Sequence, residues 1–222
     1  MKNKRIILLQ LLVGILPLLF LLSIWESLPD QVPTHYNARF EPDNFGTRPE
    51  LGAMLFFFFL VGILVSLLLR NIHKIDPKNK YSENHPLMQK LSWSIIVFTS
   101  AIGIYLVYQA QQFTAGESSS PRILIGVLAL CFAVLGNFMN SLKPNYFVGI
   151  RTPWNLKNEE NWKYTHHIAS RLWFFGGLLL LIAAFFVHES LLLPLLLTTL
   201  ILLVLIPLLY SYRFYSISKN NF

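Results

Sequence analysis

Six long apolar segments alternate with polar connections along the chain. Four of them reach the roughly 20 apolar residues that a helix needs to cross a bilayer. Backbone N–H and C=O groups cannot stay unpaired in lipid, so we expect all six to be spanning helices. The fourth needs Asn137 and Asn140 at its end, and the fifth is short and must borrow from its flanks. The segments are Ile6–Trp25, Leu51–Leu69, Leu91–Ala110, Ile123–Leu135 (running on to Asn140), Leu172–Val187 and Leu191–Tyr212.

The basic residues lie mostly on one side of this pattern. Of the 18 lysines and arginines, 15 lie in the two termini and in connections two and four, whereas Arg39, Arg48 and Arg122 lie in the others. The positive-inside rule therefore predicts that both termini are cytoplasmic and that connections one, three and five face outward. The third connection, with Gly116 and three serines, is typical of a flexible loop.

The predicted fold class is an all-α polytopic membrane protein with six transmembrane helices. We expect an ordered outward loop over residues 26–50, and an ordered cytoplasmic loop with an interfacial helix over residues 141–171. The chain divides into an N-terminal two-helix membrane domain, residues 1–75, and a C-terminal four-helix membrane domain, residues 88–215. The second connection is polar and basic, which predicts an ordinary solvated loop.

Composition supports a membrane protein and limits the chemistry. Hydrophobic residues make up 54% of the chain and charged residues 13%, which suits an integral membrane protein rather than a soluble domain. The net charge of +7 lies in the predicted cytoplasmic connections near anionic lipid, so we do not expect nucleic-acid binding. Cys131 is the single cysteine, so no intrachain disulfide or thiolate metal cluster can form, and we expect no cofactor. The first apolar run is too long for a cleaved signal peptide, which favours a retained helix.

The outward loop is rich in turn residues. The run Pro42-Asp43-Asn44 fits a turn, and we expect Gly46 to supply a positive φ. His35 with Glu41 and Asp43 could form a metal or acid–base site. We favour the simpler interpretation, in which Asp43 caps a turn and His35 bonds a backbone carbonyl, because one histidine beside carboxylates is weak support for a metal site.

The cytoplasmic loop leads into a predicted helix. Asn158 is a suitable N-cap, and Trp162, His166, Ala169 and Trp173 then fall on one helix face, which predicts an interfacial helix running into the fifth span. His166 and His167 point about 100° apart, so we expect one to be packed and the other solvated. Arg151 could bind lipid phosphate or pair with Glu159 or Glu160, and we favour the ion pair.

Two other functional classes fit the pattern less well. A small-solute transporter without an intramembrane charged relay is the alternative, but the spans contain no charged residue or histidine of the kind that coupled transporters place at depth. Pro17, Pro194 and Pro207 predict simple kinks. An enzyme would have to use His35 with Asp43, or His166 with Glu159, and neither pair supplies a nucleophile, base and orienter. We therefore predict that the chain is not an enzyme.

The cytoplasmic loop carries a motif that resembles the C-terminal signature of the SdpI family. That signature runs Gly-Asn, Lys-Pro-Asn-x-x-x-Gly-Ile-Arg-Thr-Pro-Trp and, after a spacer, Trp-x-x-Thr-His. The matching residues are Gly136, Asn137, Lys143, Pro144, Asn145, Gly149, Ile150, Arg151, Thr152, Pro153, Trp154, Trp162, Thr165 and His166. The family commonly has arginine where His167 stands.

The outward loop resembles a small membrane domain of unknown function that is often joined to the same family. The residues that match its pattern are Pro33, His35, Asn37, Pro42, Asp43, Phe45 and Gly46. Glycine is common where Phe40 stands, and lysine where Arg48 stands. The resemblance implies a bacterial inner-membrane immunity protein against a secreted, membrane-active peptide toxin. It also implies, for the best-understood case, sequestration of a cytoplasmic transcriptional repressor when toxin is present.

The resemblance implies which residues respond to a toxin or partner. In the outward loop these are His35, Asn37, Pro42, Asp43 and Gly46. In the C-terminal part they are Asn137, Asn145, Gly149, Arg151, Thr152, Pro153, Trp154, Trp162, Thr165 and His166. The expected partners are membrane lipid, a peptide toxin on the outer face and a cytoplasmic repressor.

Overall fold

The computed structural model describes residues 2–72, 85–116 and 120–220. Most of the second connection therefore lies outside the described residues, as does part of the third, so their predicted solvated and flexible character is not addressed. The elements in chain order are α1 (Lys2–Gly14), α2 (Leu16–Ser23), a 3-10 turn (Trp25–Ser27), β1 (Gln31–Tyr36), β2 (Pro42–Thr47), α3 (Arg48–Asn71), α4 (His85–Thr114), α5 (Arg122–Met139), α6 (Pro153–Lys157), α7 (Glu159–Phe186) and α8 (Glu189–Asn220).

Six helical spans are long and apolar enough to cross a membrane, as the hydropathy pattern predicts. The first combines α1 and α2 over Lys4–Ser23, and the fifth uses α7, whose 28 residues begin well before Leu172. The short fifth segment therefore does borrow from its N-terminal flank. The chain is a multi-pass membrane protein, and within the described residues the one departure from an all-α fold is the β1–β2 hairpin in the first connection.

The described chain forms two compact units. Unit 1 comprises Met1–Leu69 and Ser92–Val127, and unit 2 comprises Arg70–Leu91 and Leu128–Phe222. Unit 1 has a core that joins the hairpin to helices: Val32 of β1 is fully buried and packs in one cluster with Leu51 of α3 and Val107 of α4. Burial of such side chains contributes about 1.5–3 kcal/mol each, so the hairpin is part of the folded unit.

Buried polar groups also join the helices of unit 1. The Gln10 side chain of α1 donates to Ser92 Oγ at 3.1 Å and accepts from Ser66 Oγ at 3.1 Å. All three residues are buried. In hydrocarbon such a cluster is stable only when each member finds a partner, so these bonds fix how α1, α3 and α4 pack.

Two prolines leave backbone carbonyls without their helical partner, and in each case a side chain replaces it. Pro17 has no N–H for the carbonyl of Val13, which accepts instead from Ser100 Oγ at 3.1 Å in unit 1. The helix breaks here, between α1 and α2, which is a sharper change than the predicted kink. Pro207, one of the two prolines inside α8, has the same effect in unit 2, where Trp173 Nε1 donates to the carbonyl of Leu203 at 2.9 Å, four residues before it.

Close backbone contact positions α7 in unit 2. A Cβ on Gly136 of α5 would lie 2.4 Å from the backbone nitrogen of Phe174, and one on Gly177 would lie 2.5 Å from that of Ala133. Small residues allow such an approach between membrane helices. The glycine of the predicted Gly136-Asn137 pair is therefore a packing residue, and it sets where α7 stands beside the end of α5.

Candidate functional site

The first connection is an antiparallel hairpin whose turn differs from the predicted one. Pro42, Asp43 and Asn44 lie in β2 and not in a turn, so that prediction was wrong. The turn is held by Asn37, whose Oδ1 accepts from the backbone N–H of Arg39 at 2.7 Å and of Glu41 at 3.1 Å. Asparagine stabilises turns by this contact to the backbone, and strand pairing then places Pro42 opposite Tyr36.

The positive φ of the hairpin belongs to Phe40 and not to Gly46. Phe40 has a φ of 61°, while Gly46 is absent from the described residues with positive φ. Gly46 is needed for space instead, because a Cβ there would lie 2.7 Å from Glu50 Oε2 and 2.8 Å from Thr34 Cγ2. The glycine that the resembling domain commonly has in place of Phe40 fits this left-handed backbone.

The end of the hairpin is also the start of α3. The N–H of Thr47 donates to Glu50 Oε2 at 2.6 Å, and the N–H of Glu50 reaches Thr47 Oγ1 at 3.4 Å, which is a capping box. Arg48 donates to the carbonyls of Trp25 at 3.0 Å and Pro29 at 3.1 Å, and pairs with Asp30 at 2.8 Å. These bonds therefore connect the base of the hairpin to α3 on one side and to the segment before β1 on the other.

An exposed histidine–carboxylate pair lies on the hairpin surface. His35 Nδ1 and Asp43 Oδ1 are 2.5 Å apart, with side chains 66% and 42% exposed. Our favoured interpretation, in which His35 bonds a backbone carbonyl and Asp43 caps a turn, was wrong. The described residues hold no group of three histidine, cysteine or carboxylate side chains that could ligate a metal. Beside the pair, burial raises the pKa of Tyr36 to about 12, so its hydroxyl stays protonated at physiological pH.

The fourth connection is organised around the buried side chain of Asn145. Its Oδ1 accepts from the N–H groups of Phe147 at 2.9 Å and Val148 at 2.8 Å. Its Nδ2 donates to the carbonyls of Lys143 at 2.9 Å and Val148 at 3.1 Å. All four hydrogen-bonding positions of the amide are thereby used inside the loop, which makes Asn145 a folding residue of the connection.

Gly149 and His166 meet where this loop crosses α7. Gly149 has a φ of 108°, and a Cβ there would lie 2.4 Å from His166 Nε2. The N–H of Ile150 donates to that same Nε2 at 3.0 Å, while His166 Nδ1 lies 2.9 Å from the carbonyl of Trp162. The two contacts assign the ring proton to Nδ1 and leave the imidazole neutral. Both nitrogens are engaged, so His166 is not placed as a base beside Glu159.

The predicted face of α7 is confirmed. Asn158 caps the helix by accepting from the N–H groups of Glu160 and Asn161. Trp162, His166 and Ala169 are buried on the same face. The Trp162 ring stacks on His166 with centroids 4.0 Å apart, and its indole N–H donates to the carbonyl of Leu142 at 2.7 Å.

The two adjacent histidines differ as expected, one packed and one more exposed. His166 is 1% exposed, whereas His167 is half-buried and donates from Nδ1 to Asn140 Oδ1 at 3.0 Å. Asn137 is exposed on the last turn of α5. Asn140 was predicted only to end the fourth span. Its side-chain amide is the one that hydrogen-bonds α7, through His167.

A chain of hydrogen bonds joins the loop to both final helices. Trp154 Nε1 donates to Ser211 Oγ of α8 at 3.1 Å, and Ser211 Oγ donates to Asn161 Oδ1 at 3.1 Å. Thr165 Oγ1 donates to the same Asn161 oxygen at 3.0 Å, and Asn161 Nδ2 donates to the carbonyl of Ser211 at 3.0 Å. The Trp154 ring also stacks on Tyr215. Asn161 and Ser211 were missed by sequence reasoning, although Ser211 is the only serine of the apolar segment Leu191–Tyr212, which is a usable signal.

A short helix presents Trp154 to that network. Thr152 is the N-cap of α6 and accepts from the N–H of Asn155, and Pro153 occupies the first helical turn, where its missing N–H costs nothing. Asn155 donates to the carbonyl of Ile150 at 2.7 Å, and its Oδ1 is a buried oxygen without a hydrogen-bond partner among the described residues.

Arg151 stands apart because its side chain is exposed. It donates from Nη1 to the carbonyl of Tyr146, whereas the sequence analysis favoured an ion pair with Glu159 or Glu160. The predicted ion pair is therefore replaced by a bond to the loop backbone. The other exposed cations and tyrosines of this connection are Lys143, Tyr146, Lys157, Lys163 and Tyr164.

Residues 141–211, which contain this loop, match the SdpI/YfhL protein family. Over this segment the chain is similar to that family. Residues 12–62, which contain the hairpin, match a domain of unknown function, DUF1648. Over 171 residues the chain is 22% identical to the Immunity protein SdpI of Bacillus subtilis (strain 168), covering 77% of this chain and 76% of that protein. No solved structure matches the chain.

The family residues divide by burial into two groups. Asn145, Thr152, Trp162, Thr165 and His166 are buried and bonded within unit 2. Arg151 and Pro153 are exposed, and Trp154 is partly so. The buried group builds the connection, and the exposed group is the part of the motif that another molecule can reach.

Proposed function

We propose that this chain is an integral membrane immunity protein that protects a bacterium from a secreted, membrane-active peptide toxin. The observation that carries the proposal is the SdpI/YfhL match over residues 141–211, together with similarity along most of the chain to a protein named as an immunity protein. The six apolar spans are consistent with action at the membrane.

The proposed topology places both termini in the cytoplasm. It rests on the distribution of lysine and arginine, 15 of 18 of which lie in the termini and in connections two and four. The hairpin over residues 26–50 would then face outward, and the connection over residues 141–171 would face the cytoplasm. In this arrangement the inner membrane of a bacterium is the proposed location.

The hairpin is the proposed region of toxin encounter. Its base is fixed by Arg48 and by the Thr47–Glu50 capping box, so the exposed His35–Asp43 pair is presented on a pre-formed surface. A pre-formed surface loses less conformational entropy on binding than a disordered one. Asn37, Pro42 and Gly46 shape this surface, and His35 and Asp43 offer charge and hydrogen bonds to a peptide.

The fourth connection is the proposed signalling surface. Its buried hydrogen bonds hold the backbone, and its exterior offers Arg151 among other cations and tyrosines. Arginine and tyrosine are enriched where proteins bind other proteins. A cytoplasmic transcriptional repressor is the proposed partner of this surface, retained there when toxin is present.

The test is survival of a sensitive bacterium that expresses the full chain during exposure to a membrane-active peptide toxin of the kind the family answers. Wild type, empty vector and Arg151→Ala are compared, with the membrane level of each protein measured in parallel. Arg5→Ala is the matched control, because it removes an exposed arginine of α1 that lies outside this connection. We expect wild type and Arg5→Ala to protect, and Arg151→Ala to insert normally but fail to protect.

Two results would contradict parts of this proposal. Equal killing with and without the inserted wild-type protein would reject immunity to that toxin. Protection by Arg151→Ala at the wild-type level would reject a role for this surface. The hairpin is tested separately by Asp43→Asn, which removes the charge opposite His35 and is expected to reduce survival without lowering the protein level.

A further inference from the structure

An apolar groove runs along the exposed side of α7 and α8 in unit 2. Its volume is about 520 Å³, and twelve residues line it, of which Arg171 and Thr199 are the polar ones. Phe175 and Leu179 on its rim are 59% and 68% exposed. Gly176 lets α7 and α8 approach closely within the groove, because a Cβ there would lie 3.1 Å from Leu203 Cδ2 on the opposite helix.

The length of the groove suits one lipid chain. Its lining on α7 extends from Arg171 to Ala183, which at ~1.5 Å per residue corresponds to about 18 Å. The hydrocarbon core of a bilayer is ~30 Å thick, so one leaflet contributes about 15 Å. An acyl chain that starts at Arg171 would therefore fill the groove and end near the middle of the bilayer.

The end of the groove is cationic, at the start of the charge-free part of α7. Arg171 immediately precedes the charge-free part of α7, and its exposed guanidinium has no hydrogen bond or ion pair with the described residues. Lys163 and His167 lie two turns and one turn before it on the same helix face and line a separate cavity of about 330 Å³. Arginine bonds a phosphate group with two parallel N–H donors, which favours an anionic headgroup here.

We propose that the α7–α8 groove binds one acyl chain of an anionic phospholipid whose phosphate is held by Arg171. The bound chain packs against the apolar lining that both helices supply. Lys163 adds a second cation on the side of the rest of the headgroup. This inference does not depend on immunity, because it rests on the groove and on the cation at its end.

The test is native mass spectrometry of the full chain released from detergent micelles, titrated with phosphatidylglycerol and with phosphatidylcholine of the same acyl chains. We expect one phosphatidylglycerol to be retained more tightly than phosphatidylcholine. Arg171→Ala should weaken phosphatidylglycerol retention about fivefold, the effect of one cation near the membrane surface. Thr199→Trp, which fills the groove, should abolish retention of both lipids.

Matched controls separate these effects from general ones. Lys157→Ala removes an exposed cation outside the groove, and Leu197→Trp introduces the same tryptophan side chain at an exposed position of α8 that does not line it. Both should retain lipid as wild type does. Circular dichroism of each variant checks helix content, and Arg171→Ala tests the proposal even if Thr199→Trp misfolds.

Four outcomes would overturn the proposal. Equal retention of the two lipids would show that the site does not select an anionic headgroup. An Arg171→Ala effect no larger than that of Lys157→Ala would show that Arg171 does not hold the phosphate. Displacement of the lipid by millimolar inorganic phosphate would show a site for free anions. Dimers without lipid adducts would show that a second copy of the chain occupies the groove.

Discussion

Replacing Gly149 by alanine tests whether the loop and α7 are held together by the His166 contact. The substitution places a Cβ on a backbone with φ 108°, 2.4 Å from His166 Nε2. The backbone conformation alone costs about 1–3 kcal/mol for a residue with a side chain. Displacing the ring would also leave the N–H of Ile150 without its acceptor, which costs about 1–3 kcal/mol more. We expect a total loss of about 4 kcal/mol in the free energy of unfolding.

The chain offers a matched control for the backbone part of that cost. Gly116 also has a positive φ, 74°, but nothing lies within 4 Å of the Cβ that alanine would add. Gly116→Ala should therefore cost only about 1–2 kcal/mol, the strain of a left-handed residue. The difference between the two substitutions measures the contact with His166.

The assay is denaturant unfolding of the full chain in micelles of one detergent, followed by tryptophan fluorescence, since Trp162 stacks on His166. Gly149→Ala is measured both alone and in a His166→Ala background. Without the imidazole ring, the loss in free energy of unfolding should shrink to the cost of the backbone conformation. The reasoning is refuted if Gly149→Ala costs no more than Gly116→Ala, or if its cost is the same in both backgrounds.

Two further predictions concern the membrane helix α8 and the hairpin turn. Trp173→Phe should lower the free energy of unfolding by about 1–3 kcal/mol, because the Leu203 carbonyl loses its donor. In a Pro207→Ala background most of that loss should disappear, because the backbone N–H of residue 207 can donate to the same carbonyl. Additive losses in the double-mutant cycle would contradict this. Phe40→Gly should raise the free energy of unfolding by about 1 kcal/mol by relieving the strain at φ 61°, and a loss measured by the same unfolding assay would show that the Phe40 side chain matters more than its backbone.

Local signals in the sequence predicted the helices well. The six spans follow from hydropathy because lipid forces the backbone to bond within each segment. The Asn158 cap and the buried α7 face also depend on neighbouring residues alone. The SdpI resemblance rested on a short, specific motif, and the match over residues 141–211 confirms it.

Contacts distant in the chain explain what was missed. The hairpin was expected as a loop with its turn at Pro42, because nothing local shows that Val32 enters a core with Leu51 and Val107. The positive φ was placed at Gly46 from residue type, whereas strand register and the Asn37 turn put it on Phe40. His35 was expected to bond the backbone, but the pairing of β1 with β2 brings Asp43 to it.

The sequence by itself therefore determined the environment, the six spans and the family resemblance, since these depend on composition, period and a contiguous motif. The tertiary structure decided what the motif residues do. His166 touches Gly149 and Ile150 only because the loop folds back across 16 residues, and Trp154 reaches Asn161 only through Ser211 of α8. Whether a residue of the motif is buried or exposed thus depends on the distant residues that it packs against. Those contacts are set by the tertiary structure and cannot be read from neighbouring residues in the sequence.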